Sequence, residues 1–271
     1  MNPSWADRFR TPTSEELRFT LATCVLLVLA HAVAYLTHEY SHSFMAWALG
    51  WMTNPLKLDY GKHTLDNFLF LGDVGDNVQY SPIFASGKGW AASIIALAGT
   101  YVGNALLYFL LYLMAKSSMV SSRRLALSFV YWTSLMCAGN VWGYVPMRAF
   151  TTHADIAIAA RGLHLPPWGL FPFLIVPSLY VVHHFFEKMV PLCYPALAGN
   201  STNVLVLLIG LTGYWFFSFF GGDGLDGSYG LISQLLSIVS KLFLFPICVM
   251  CLSSVYLSRL NQSSSGARTD F

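Results

Sequence analysis

Six long runs of apolar residues, separated by polar connections, dominate the pattern along this chain. A helix needs about 20 mostly apolar residues to cross the hydrocarbon core of a bilayer, and each run is close to that length or longer. We therefore predict an all-α integral membrane protein with about six transmembrane helices. The predicted spans are residues 17–51, 90–115, 125–145, 168–186, 204–220 and 231–257.

Two connections are long enough to carry structure of their own. Residues 52–89 are rich in Gly, Asp and Asn and contain a short alternating segment, so we expect a short β-rich or irregular loop, built as a hairpin or a re-entrant element. Residues 146–167 include an apolar stretch that ends at Gly162, which is typical of a short helix. An even number of crossings separates these two connections, so both must lie on the same side of the membrane.

Composition supports the membrane interpretation and narrows the partners. Hydrophobic residues make up 55% of the chain and charged residues 10%, with a mean hydropathy of +0.55. A soluble domain would have about 25% charged residues. The net charge of +2 comes from scattered Lys and Arg, which argues against a nucleic-acid partner. The predicted location is therefore integral to the membrane, with several passes through the lipid bilayer.

The first predicted span contains an HExxH motif, His-Glu-Tyr-Ser-His at residues 38–42. Residues four apart lie on one face of a helix, so His38 and His42 can both bind one metal ion. Ionisable side chains on a membrane helix are costly if they are left unpaired, so these residues indicate a functional site. We predict a zinc site in which Glu39 is the general base for a zinc-activated water, the nucleophile of a hydrolysis.

A catalytic zinc usually has three protein ligands, so one ligand must come from elsewhere in the chain. Asp155 is the preferred candidate, because it is an acidic residue in a connection with few charges and its carboxylate lowers the net charge of the site. His153 is the alternative. Asp155 also fits the position of an N-terminal cap on the helix that follows it.

Other polar side chains near the ends of the spans add to the predicted site. Asn140, near the end of the third span, is a candidate catalytic donor to the oxyanion of a tetrahedral intermediate; an interhelical hydrogen bond is the alternative. His31 and Tyr35 share a helical face with His38, so they could support the ligands or line a polar cavity.

The second span carries a pattern that predicts close helix packing. Gly99 and Gly103 are four residues apart, which lets another helix approach the backbone closely. We expect this face to pack against the helix that carries the HExxH motif. Asn104 should then form a hydrogen bond across the contact.

Together these segments resemble the site-2 protease family of intramembrane zinc metalloproteases. The resemblance covers about residues 20–165, and its matching segments are residues 38–42, 95–104 and the series Asn140, Pro146 and Asp155. It implies a zinc-dependent endopeptidase that cleaves membrane-anchored protein or peptide substrates within or near the bilayer, as in regulated proteolysis. It also implies that Asp155 is the third zinc ligand.

The resemblance, the apolar pattern and the composition of the tail together suggest how the chain is divided. A metalloprotease-like membrane core, residues 17–165, follows a polar N-terminal segment, residues 1–16. Three additional transmembrane helices occupy residues 166–258, and a disordered tail occupies residues 259–271. Two other functions fit the same residues. One is a metal-binding membrane transporter or receptor, for which Glu39 would be dispensable; the other is a zinc hydrolase that acts on a non-peptide lipid substrate.

Overall fold

The computed structural model describes residues 11–225 and 229–266, and within these residues the chain is helical and contains no strand. The helices in chain order are α1 (Ser14–Ala48), α2 (Leu65–Phe70), α3 (Tyr80–Ala85), α4 (Gly89–Lys116), α5 (Ser118–Ser121), α6 (Arg124–Trp142), α7 (Ala154–Gly162), α8 (Pro167–Ala198), α9 (Thr202–Leu225) and α10 (Leu231–Ser258).

Five helices in the described part of the chain, α1, α4, α8, α9 and α10, are long and apolar enough to cross a membrane. They correspond to five of the predicted spans, although α8 continues well beyond residue 186, where the sequence placed its end. The remaining predicted span corresponds to α6, which is not among the five. From Leu127 to Trp142, α6 is buried along nearly its whole length.

The two ends of the chain are only partly described. The polar N-terminal segment gives way to α1 at Ser14, and residues 1–10 lie outside the described residues. The helical segment continues past Ser258 to Gly266. The disordered tail predicted for residues 259–271 remains a prediction. The rest of that predicted tail, residues 267–271, lies outside the described residues.

Helix α1 begins at a capping box. The Thr13 hydroxyl accepts the Glu16 backbone N–H, and the Glu16 carboxylate accepts the Thr13 backbone N–H. These bonds satisfy N–H groups that have no partner inside the helix. At 1.5 Å per residue, the 35 residues of α1 extend about 52 Å, longer than the roughly 30 Å hydrocarbon core. The HExxH residues lie in the last third of this helix.

The connection between α1 and α4 is irregular and not β-rich. In its described residues it contains the short helices α2 and α3 and one isolated bridge, between Asp59 and Gly75. The polar and glycine-rich composition explains this, because few positions offer the alternating apolar side chains that a strand buries.

Part of this connection runs back along α1. The Phe70 carbonyl bonds to His31 Nε2, and the Asp76 carbonyl accepts from Ser43 Oγ. His31 and Ser43 are about 18 Å apart along the helix axis, so the chain between residues 70 and 76 is extended beside α1. We call residues 70–78 the strap.

Helices α1 and α4 pack closely where the glycine pattern predicted. An added Cβ at Gly103 would meet the His38 Cα atom and the Thr37 carbonyl oxygen at 2.8 Å. Gly99 lies against the imidazoles of the HExxH motif. The two glycines lie in a π-helical segment, Gly99–Leu106, within α4.

Helix α7 is held on the first turns of α4. Ser93 Oγ donates to the Ala159 carbonyl at 2.8 Å, and Gly89 lies directly against Gly162 with no room for a side chain at either position. The connection at residues 146–167 therefore lies at the same end of the protein as His42, as the parity of the predicted crossings requires.

Candidate metal centre

Three side chains from two distant segments converge at the end of α1. The Nε2 atoms of His38 and His42 are 3.1 Å apart, and each is 3.3 Å from Asp155 Oδ2. Asp155 lies in the first turn of α7. Among the described residues, these three side chains are the one group of His, Cys, Asp or Glu whose ligand atoms lie close enough together to hold a metal ion.

The triangle of ligand atoms has the size that a zinc ion requires. Nitrogen and oxygen ligands lie about 2.0–2.1 Å from zinc, so two ligands of a tetrahedral site are about 3.3 Å apart. The observed separations are 3.1–3.3 Å. Two imidazoles and one carboxylate, with a fourth position left for water, also form a donor set typical of catalytic zinc sites.

The hydrogen bond at the far side of the His42 ring leaves Nε2 available to a metal. His42 Nδ1 lies 2.7 Å from the Ile95 carbonyl oxygen in α4. A carbonyl oxygen only accepts, so Nδ1 carries the hydrogen and Nε2 has a free lone pair. A partner of this kind fixes both the tautomer and the orientation of a ligating imidazole.

Asn104 lies at Nδ1 of His38, as the Ile95 carbonyl does at Nδ1 of His42. Its Nδ2 atom is 3.1 Å from His38 Nδ1, while its Oδ1 atom is buried without a hydrogen-bond partner. If His38 binds a metal through Nε2, its Nδ1 carries a hydrogen and needs an acceptor. Rotating the Asn104 side-chain amide by 180° exchanges its Oδ1 and Nδ2 atoms. Oδ1 then accepts the hydrogen of His38 Nδ1 and is no longer without a partner. The predicted bond of Asn104 across the helix contact is therefore made to the imidazole itself.

The backbone of α4 forms a cradle for the two rings. A Cβ atom at Gly99 would lie against Nε2 of both His38 and His42, in the space that an ion between them needs. Only glycine leaves this space open. The residues present therefore fit a metal ion in their distances, in their donor types and in the room around them.

Glu39 is buried on the α1 face next to the two imidazoles. One residue corresponds to about 100° of rotation on a helix, so Glu39 points toward the strap when His38 points toward α4. The side chain is 8% exposed. The ionisable groups that act on it are His42, Asp155, Asp76 and Arg148.

Two carboxylates outside the membrane-spanning helices have shifted pKa values. Burial raises the pKa of Asp76, although its carboxylate accepts from Tyr80 OH at 3.1 Å and from the Val78 N–H at 3.0 Å. For Asp155, burial acts to raise the pKa, but His42 and His38 outweigh it and hold the pKa below its usual range.

Asp155 is the most exposed of the three candidate ligands. The side chains of His38 and His42 are 2% exposed, whereas that of Asp155 is 16% exposed. Tyr144 stacks on His38, with ring centroids 4.7 Å apart and an interplanar angle of 27°. The Arg148 guanidinium lies on the other face of Tyr144, 3.9 Å from the ring centroid.

Within the described residues, several residues that the sequence singled out form no hydrogen bond with the three ligand side chains. His153 is exposed and stacks on Tyr229, so the structure brings Asp155 and not His153 to the imidazoles. In the described part of the chain, no hydrogen bond connects Asn140 with the centre, and its buried Oδ1 has no partner. His31 and Tyr35 bond to the strap carbonyls of Phe70 and Val74.

Two residues of the centre were missed from the sequence, Tyr144 and Arg148. They lie in the π-helical turn after α6 and in the residue that follows it. A signal was present, because Arg148 is a charge directly after an apolar span in a chain with few charges. Its contact with Tyr144 could not be read from the sequence.

Comparisons of this chain with protein-family models, with curated proteins and with solved structures find no match. The candidate metal centre is therefore interpreted from its own geometry.

Proposed function

We propose that this protein is an intramembrane zinc-dependent endopeptidase that cleaves membrane-anchored protein substrates. The observation that carries the proposal is the triangle of His38 Nε2, His42 Nε2 and Asp155 Oδ2, with Glu39 beside it. A metal site with three protein ligands keeps one position for reaction, whereas a structural zinc site usually has four.

The reaction proposed is hydrolysis of a peptide bond. His38, His42 and Asp155 would hold the zinc ion, which would supply Lewis acidity for the activation of a water nucleophile. A Glu39 carboxylate oxygen takes a proton from this water as the water oxygen bonds to the carbonyl carbon. Glu39 then gives that proton to the amide nitrogen as the C–N bond breaks. The role predicted for Asn140 as an oxyanion donor remains a prediction.

We also propose that α6 crosses the membrane, which gives six crossings in total. Arg124 at its start forms a 2.7 Å ion pair with Glu15 at the start of α1. The turn after its other end brings Tyr144 onto His38, near the end of α1. The 19 residues of α6 extend about 28 Å, close to the thickness of the hydrocarbon core.

A membrane-anchored substrate is supported by the surroundings of the centre. The HExxH residues lie on α1, one of the helices able to cross a membrane. Beside the middle of α1, helix α2 exposes Leu65 and Phe68, which are 75% and 78% exposed. Apolar side chains at this depth fit contact with lipid or with a lipid-embedded segment of a substrate.

The test is Glu39→Gln in the full chain, purified and reconstituted with a single-span reporter protein. We expect about one zinc per chain in both proteins, and cleavage reduced by at least about 1,000-fold in the variant, because only the proton carrier is lost. Glu187→Gln, a change in α8, is the matched control. Equal cleavage by wild type and Glu39→Gln would refute the proposed role.

The same variant separates the two alternative functions. A metal transporter or receptor would keep its function without Glu39, because metal binding needs only the ligands. A zinc hydrolase for lipids would lose activity on an ester probe and would not cleave the peptide reporter in either form.

A further inference from the structure

Five side chains form a continuous stack that leads from the candidate metal centre toward the surface. Tyr144 stacks on His38, and Arg148 lies over the other face of Tyr144. The Arg148 guanidinium is also 5.6 Å from the Tyr229 ring centroid, and Tyr229 stacks on His153 at 4.8 Å with an interplanar angle of 15°.

This stack is less buried than the two imidazole ligands. The side chains of Arg148 and Asp155 are each 16% exposed, whereas those of His38 and His42 are 2% exposed. A substrate that approaches the ligands from this less buried side would pass the guanidinium. Arg148 places a permanent positive charge beside this path, since arginine stays protonated in proteins.

The guanidinium is held in place by contacts that leave much of its donor capacity unused. Its Nε is 3.4 Å from the Gly143 carbonyl, one Nη is 3.5 Å from Tyr229 OH, and the other is 3.3 Å from Asp223 Oδ2. All three distances are longer than an optimal N–H···O bond of about 2.9 Å. A guanidinium has five N–H donors. It can therefore donate to a further, closer acceptor while it keeps its present contacts.

We propose that Arg148 is a substrate-binding residue, whose guanidinium donates to a backbone carbonyl oxygen next to the scissile peptide bond. The inference rests on the endopeptidase function proposed above. One aromatic ring separates the guanidinium from His38, so Arg148 is too far away to bind the metal or the scissile carbonyl itself. Neighbouring residues of a peptide are 3.8 Å apart, which places the next carbonyl within its reach.

The charge balance favours a neutral carbonyl over a carboxylate as the partner. Asp223 already offsets the charge of Arg148. A second carboxylate would add negative charge beside Asp155, whereas a peptide carbonyl offers two lone pairs at no such cost. Arg148 would then position the substrate backbone and would not select for an acidic side chain.

Two hydroxamates test this inference by binding alone, without a known substrate. Acetohydroxamate contains only the metal-binding group, and a peptidyl hydroxamate adds backbone carbonyls. The zinc-loaded full-length protein is titrated with each compound by calorimetry in detergent micelles. We expect Arg148→Gln to weaken the peptidyl compound at least about tenfold, the cost of a lost charge-assisted hydrogen bond, and to leave acetohydroxamate unchanged.

Two further variants sharpen the result. Arg148→Lys keeps a charged donor and should restore part of the affinity for the peptidyl hydroxamate. Arg161→Gln is the matched control, because Arg161 also lies over an aromatic ring, that of Phe84 at 4.2 Å, and has no contact with the stack. It should bind both compounds like wild type.

Two outcomes would overturn the inference and leave the proposed function standing. One is unchanged binding of the peptidyl hydroxamate by Arg148→Gln. The other is equal weakening of both compounds, or loss of zinc, in Arg148→Gln and Asp223→Asn alike, which would show that the ion pair only supports the fold. If the wild-type protein binds neither hydroxamate, the proposed metal centre and the proposed endopeptidase function are both refuted.

Discussion

Gly99 of α4 lies directly against the imidazole of His42 on α1, so that the metal-binding edge of the ring faces a backbone without a side chain. The same glycine contacts Nε2 of His38. The HExxH motif is therefore only half of the candidate centre. The other half is the surface of a second helix that is shaped to leave room for an ion.

The first prediction follows from this contact. Gly99→Ala places a methyl group in the space between the two imidazoles, so one ring must move away. We expect zinc affinity to fall by more than about 100-fold, the upper end of what loss of an outer partner costs. Chelator competition on the purified protein measures this.

Gly210→Ala is a suitable control for that experiment, because Gly210 also lies in a long apolar helix and has nothing within 4 Å of an added Cβ. It should keep zinc and be as stable as wild type or slightly more stable. Full zinc affinity in Gly99→Ala would show that the ion is not held between the rings.

The second prediction concerns the identity of the ligands. We expect His38→Ala, His42→Ala and Asp155→Ala each to lose bound zinc in elemental analysis. His153→Ala should retain about one zinc per chain, because the His153 ring stacks on Tyr229 and does not reach the centre. Zinc lost from His153→Ala and kept by Asp155→Ala would reverse the assignment.

Asn104 gives a third prediction. Its amide lies against His38 Nδ1, so Asn104→Ala removes the partner that fixes the ring tautomer. Loss of such a partner typically weakens a metal site by about 10–100-fold. Zinc competition should detect this decrease, with Asn200→Ala, in the connection between α8 and α9, as the control. An unchanged affinity would mean that His38 needs no acceptor from α4.

The fourth prediction concerns the strap. Tyr35 OH donates to the Val74 carbonyl, and Ser43 Oγ donates to the Asp76 carbonyl. Tyr35→Phe and Ser43→Ala each remove about 1 kcal/mol of hydrogen bonding, which corresponds to roughly fivefold faster local opening. Hydrogen exchange should rise at residues 70–78 and stay constant in α4. No change at the strap in the double variant would show that other contacts hold it.

Part of this architecture could be predicted from local pattern. The apolar runs predicted helices because a bilayer leaves the backbone no other partner than itself. The HExxH spacing placed two imidazoles on one face of α1, and Gly99 with Gly103 predicted where α4 would pack. Each of these inferences depends only on helical periodicity.

Helix α6 shows where local pattern is insufficient. It was predicted as one more apolar span, yet it is buried among its neighbours and has Ser134 and Asn140 inside the bundle. A helix surrounded by protein does not contact lipid. Its hydropathy therefore does not predict its position in the helix bundle. The turn that follows it, which brings Tyr144 and Arg148 to the centre, has no periodic signal at all.

The sequence by itself determined the helical class of this chain and two of the three candidate metal ligands, because both depend on residues that are near each other along the chain. Only the tertiary structure placed Asp155, and not His153, beside the two imidazoles. These residues are two positions apart, and both are more than a hundred positions from His38. The close contact of Gly89 with Gly162 holds α7 on α4, and the Asp155 carboxylate in the first turn of α7 lies beside the imidazoles. The position of Asp155 depends on how α4 and α7 pack, and the spacing of residues along the sequence does not predict that packing.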